Sequence, residues 1–121
     1  MITLYDLGVS GNCYKIRLLL DLLDLSYQAK SVNIAEGELR TPAFLSLNPF
    51  GLIPVLVDGD VTLRDSQAIL VYLASRYGGS DWWPQDPARL GEITAWLSTA
   101  ADEIAHGPSS LRVHKKFGRE I

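Results

Sequence analysis

The chain has 121 residues, with 11 Lys and Arg against 14 Asp and Glu, a formal charge of −3 and a single cysteine. That length holds one modest domain and perhaps the start of another, and the acidic balance offers no broad basic surface for nucleic acid or anionic lipid. One cysteine excludes an intramolecular disulfide framework and a cysteine-based zinc cluster, and it fits a reducing compartment.

The opening "MITLYDLG" has no basic leader followed by an apolar run, so no secretory signal is read there. Ile16 to Leu25, the most apolar stretch, is interrupted by Arg17, Asp21 and Asp24 and is too short to span a bilayer. The expectation is a soluble, cytoplasmic protein with no membrane and no nucleic-acid partner.

In chain order, Ile2 to Tyr5 is short, apolar and β-prone, and Gly8 to Gly11 breaks it, which reads as a strand and a tight loop. Ile16, Leu19, Leu20 and Leu23 recur at helical spacing, so a helix is predicted from about Asn12, with Asn12 as its N-cap. Ser26 to Ile34 is a second strand candidate, and Glu36 to Thr41 a polar loop. Pro42 suits the first turn of a short helix carrying Phe44, Leu45 and Leu47. Asp58-Gly59 between "IPVLV" and "VTL" signals a hairpin. A helix from Ser66 is predicted to bury Ile69, Tyr72 and Leu73 and to end at Gly78-Gly79. A right-handed crossover makes the first two strands parallel, giving a mixed sheet with helices packed on it. "GGSDWWPQDP" reads as a linker. Beyond it Leu90, Ile93, Leu97, Ala100, Ala101 and Ile104 keep helical spacing until Gly107-Pro108 stops the run, with His106 at the helix end.

Read from the residues alone, most of the chemistry-bearing positions keep two meanings. Ser10 is a helix cap or a donor to an anion at a helix N-terminus. Cys13 is a small buried apolar group or an acidified thiol. Pro54 is a proline at a strand start, and Asp65-Ser66 is an ordinary cap pair or a site for a carboxylate and an ammonium group. Arg40 is a solvated surface arginine or a carboxylate partner.

The loop "SGNCYKIRLLL", the run "NPFGLIPVL" and the run "RDSQAILVYLASRY", in this order and spacing, resemble the N-terminal thioredoxin-like domain of glutathione S-transferases, and "DPARLGEITAWL" looks like the first helix of their all-helical domain. The resemblance implies an α/β thioredoxin-like domain over residues 1–78, with a four-stranded mixed sheet and three helices. A linker over 79–87 and the beginning of an incomplete all-helical domain over 88–121 follow. It implies glutathione as co-substrate, a small electrophile as second substrate, and a homodimer; in some members an aromatic at the place of Phe50 inserts into the partner, the other reading of Phe50 being packing against its own hairpin. Ser10, the serine-type position, would hydrogen-bond the sulfur of glutathione and ionise it. Ile53 would pair with the ligand's backbone across a cis bond to Pro54. Asp65 and Ser66 would hold the γ-glutamyl end. Arg40 is left for the glycine carboxylate, because the neighbouring places read Leu39 and Leu52. Catalysis as a glutathione transferase is expected where the helical domain is completed. The alternative is a non-catalytic glutathione-binding or interaction module.

Overall fold

The computed structural model describes residues 1–120. It divides into one compact unit over Met1–Trp82 and a second beginning at Trp83.

The first unit is built on four strands, β1 (Ile2–Asp6), β2 (Tyr27–Ser31), β3 (Val55–Asp58) and β4 (Val61–Arg64), in the order β2-β1-β3-β4. β1 and β2 are parallel, as a crossover through helix α1 (Gly11–Leu22) requires, while β3 is antiparallel to both β1 and β4. Helices α2 (Pro42–Leu47), α3 (Ser66–Tyr77) and the short α4 (Gly79–Trp82) complete it, with a 3-10 turn over Glu38–Arg40 inside the segment expected as loop.

Alternation along the strands divides the apolar side chains between the two sheet faces. Ile2, Leu4 and Leu56 join Ile16, Leu19 and Leu20 of α1 and Ile69 and Leu73 of α3 in one cluster. Val55, with Tyr5 beside it, joins Val32 and Phe44 of α2 in the other. Full burial of a leucine or isoleucine contributes about 2 kcal/mol, so the first cluster holds α1 and α3 to the sheet far more firmly than their short lengths could. Tyr72 differs from its expectation. It is only half-buried, because its hydroxyl turns to Asp58 Oδ2 at 2.7 Å. Tyr77 donates to the same oxygen at 2.5 Å and Arg76 at 3.1 Å. A carboxylate at the end of β3 thus ties the hairpin to α3.

The second unit contains α5 (Pro87–Thr99), a π-helical segment (Ala100–Ser109) and α6 (Ser110–Phe117). Pro87 stands at the first position of α5 and Asp86 caps it, accepting from Arg89 N–H at 3.1 Å. Gly107-Pro108 does not stop the helix. The wider turns, bonded i to i+5, carry Pro108 inside the segment, and helix resumes at Ser110. His106 therefore lies within a helical run, with Nδ1 at 3.0 Å from Asp102 Oδ1. Among the described residues no helix is long and apolar enough to cross a membrane.

Candidate functional site

Strand register decides where the loops meet. Tyr5 pairs with Val55, and Val55 pairs with Arg64. The end of β1, the start of β3 and the end of β4 therefore lie at one end of the sheet, and each carries a loop that the sequence marks as chemical.

The first loop leads from β1 into α1. Ser10, not Asn12, is the N-cap: its backbone is extended at φ −79°, ψ 124°, and Oγ accepts from Cys13 N–H at 3.2 Å. The loop is tight, with Ser10 N–H bonded to Leu7 O at 3.0 Å. Arg17 of α1 braces it. The guanidinium pairs with the buried Asp6 and reaches Leu7 O at 3.5 Å and Gly8 O at 3.3 Å. A hydroxyl has two acceptor lone pairs and one proton. The cap uses a lone pair and not the Ser10 proton, which lies beside the Cys13 thiol and at the positive end of α1. Capping and donation, two rival readings in the sequence, are compatible in this geometry.

Cys13 is fully buried. Burial raises its thiol above the ordinary cysteine range, against hydrogen bonds from Ser10 and the Leu7 backbone that pull it down. It stays a neutral thiol near pH 7, a weak acceptor that an external thiolate outcompetes for the Ser10 proton.

The second loop, over 48–54, is pinned by Asn48. This buried side chain donates to Leu52 O at 2.9 Å, and its Oδ1 accepts from Phe50 N–H at 3.0 Å. Sequence reasoning passed over Asn48, although an asparagine opening "NPFG" is a turn signal in itself. Gly51 needs a positive φ of 62°, and an added Cβ would lie 2.1 Å from Arg40 Nη1 and 3.0 Å from Leu39 O. Arg40 is thereby laid along the outside of the turn, its Nη1 3.5 Å from Phe50 O. The Ile53-Pro54 bond is cis.

The third loop is Asp65-Ser66, at the head of α3. Asp65 takes φ 74°, ψ 118°, a conformation costing a non-glycine residue on the order of 1–3 kcal/mol. Its Oδ2 accepts from Ala68 N–H at 3.1 Å, which partly repays that strain. Ser66 is buried.

Ile53, Pro54, Asp65 and Ser66 come together in one cleft of about 100 Å³, with Asn12, Asn48, Phe50, Leu52 and Arg64. Ser10 and Arg40 are not among its lining residues. Ser10 stands two positions before Asn12, and Arg40 on the outer side of the 48–52 turn. Among the described residues no group of three histidine, cysteine or acidic side chains is placed to hold a metal.

A βαβ unit, a helix and a β-hairpin followed by a helix, with a cis proline just before the third strand, define a thioredoxin-like domain with its polar loops gathered at one end of the sheet. The glutathione S-transferase N-terminal domain model matches residues 4–81, and the chain belongs to the glutathione S-transferase family. It is 41% identical over 83 residues to glutathione S-transferase 1 of Dianthus caryophyllus, covering 69% of this chain and 38% of that protein. To glutathione S-transferase 3 of Zea mays it is 36% identical, over 89% of this chain and 49% of the relative. Among solved structures, a possible glutathione S-transferase from Rhodopseudomonas palustris superposes with a TM-score of 0.84 at 36% identity, covering 97% of this chain and 52% of that one. A glutathione transferase homologue from Drosophila mojavensis with bound glutathione gives 0.85 at 30% identity, over 93% and 52%. The chain spans half or less of the length of the two curated relatives, and about half of the two solved chains.

Proposed function

We propose that this chain binds glutathione and lowers the pKa of its thiol for attack on a small electrophile, with glutathione as co-substrate and Ser10 in the serine-type role. The observation that carries the reading is the Ser10 hydroxyl, which caps α1 through a lone pair and offers its proton at the helix N-terminus, where a bound thiolate is a stronger acceptor than the neutral Cys13 thiol beside it. A hydrogen bond and the positive helix end both favour the charged form of a bound thiol. The thiol proton leaves to solvent. The sulfur then forms a bond to the electrophilic carbon, and a leaving group departs with its electron pair or the adduct takes a proton from water.

The remaining contacts follow from the cleft. The Ile53 backbone beside Pro54 pairs with the cysteinyl backbone as a strand would. Ser66 and the first N–H groups of α3 meet the γ-glutamyl carboxylate, and the second carboxylate oxygen of Asp65 meets its ammonium group. Arg40 meets the glycine carboxylate from the turn's outer side. A cytoplasmic homodimer is the proposed state. Its supports are a single, buried cysteine and Phe50, 59% exposed on the rim of the cleft as an aromatic anchor.

Retention on immobilised glutathione and elution by the free tripeptide is the direct test of binding, and passage without retention contradicts the reading. Within it, Arg40→Ala is expected to weaken glutathione binding about threefold, the scale of an exposed ion pair. It should leave binding of the glycine amide of glutathione unchanged, and an unaltered Kd for both ligands would remove Arg40 from the site.

A further inference from the structure

Arg64 is the last residue of β4, directly before Asp65-Ser66. Strand alternation sends Leu63 to the α1–α3 cluster and Arg64 to the opposite face. There the guanidinium carbon lies 4.0 Å from the centre of the Phe50 ring, and the Phe50 turn is itself fixed by Asn48. A guanidinium over a ring gives no N–H to a carboxylate there, and its N–H fork matches a carboxylate. Among the described residues lining the cleft, Arg64 is the one cation and Asp65 the one anion. The ion pairs of the described residues go to Arg17, Arg76 and His106, and Arg64 has no carboxylate in such a pair.

A cation and an anion adjacent in the chain, beside a buried hydroxyl at a helix N-terminus, are the complement of an amino-acid zwitterion. We propose that Arg64 is a specificity-determining residue that binds the α-carboxylate of the γ-glutamyl group together with Ser66, while Asp65 takes the ammonium group. The assignment rests on the glutathione reading above and adds a residue to it. It also gives the Phe50 turn a function within its own chain, since the ring holds the Arg64 guanidinium beside the cleft.

The test is a ligand cycle measured by equilibrium titration. Glutathione is compared with 4-aminobutyryl-cysteinylglycine, which lacks only the α-carboxylate, on the wild-type chain, Arg64→Gln and Arg64→Lys, with melting curves to confirm folding. Arg64→Gln is expected to weaken glutathione about tenfold, as loss of a charge-assisted hydrogen bond does, and to leave the analogue unchanged. Arg64→Lys should restore part of the loss, because a point charge replaces a stacked fork. Equal weakening of both ligands would mean that Arg64 acts through the turn, and no weakening of either would mean that it does not touch the ligand. Both results overturn the assignment while leaving glutathione binding intact. Failure of the wild-type chain to bind either ligand would overturn the glutathione reading, and this assignment with it.

Discussion

Replacing Ser10 by alanine is expected to slow the attack of bound glutathione on a small electrophile at pH 7 by between about ten- and a hundredfold. A hydrogen bond to a charged group contributes about 1.5–3 kcal/mol, and about 1.4 kcal/mol corresponds to one pKa unit, so the bound thiol should rise by about one to two units. A less acidic thiol is intrinsically more nucleophilic, which offsets part of the loss. The deficit should therefore shrink as pH rises, because the thiol then ionises without help. The cap complicates the alanine variant, since losing the Ser10 to Cys13 bond costs about 1 kcal/mol of stability whatever else the hydroxyl does. Ser10→Asp separates the two effects. Aspartate caps as well as serine but cannot donate a proton when ionised, so it should keep the melting temperature and lose the rate. Ser10→Asp with full activity would show that Ser10 only caps.

The second large effect is one of stability. Asp58→Ala is expected to destabilise the first unit by about 2 kcal/mol at pH 7, from the loss of charge-assisted hydrogen bonds at a buried oxygen. For a domain of this size that lowers the melting temperature by about 10 °C. Arg76 adds little, because its side chain is 52% exposed and its pair with Asp58 is screened. The hydroxyl of Tyr77 first, then those of Tyr72 and the Arg76 charge, hold the Asp58 carboxyl below its usual range, against burial. A depressed carboxyl stabilises the fold above its unfolded pKa of about 3.9 and loses that contribution as pH falls through the lower folded value. The gap between wild type and Asp58→Ala should thus be full at neutral pH and narrow below about pH 4. Thermal melts at pH 7, 4 and 3 check it, and a gap that did not change with pH would assign the loss to packing alone.

Much of the first unit was legible in the sequence because periodicity and turn chemistry agree there. The hairpin at Asp58-Gly59, the parallel pairing of the first two strands and the start of α3 at Ser66 all follow from local rules. The sequence offers both Ser10 and Asn12 as caps, and the choice for Ser10 depends on its N–H bond to Leu7 O. Gly107-Pro108 reads as a stop because proline lacks an N–H and crowds the preceding turn of an ordinary helix, whereas here it lies inside a wider π-helical segment. Asn48 and Arg64 were missed for another reason. Each is visible as a residue type, but what it does depends on neighbours brought close by the fold: Leu52 O for Asn48, and the Phe50 ring for Arg64. Strand register, which gathers three separate loops at one end of the sheet, is likewise a property of the strands together.

Calorimetric titration of the chain with reduced glutathione, in two buffers of different ionisation heat, tests thiol activation most directly. Saturable binding with heats that differ between the buffers, reporting release of the thiol proton at neutral pH, is the expected result. Saturable binding with identical heats would show a site that holds glutathione without ionising it, and would contradict the role given to Ser10.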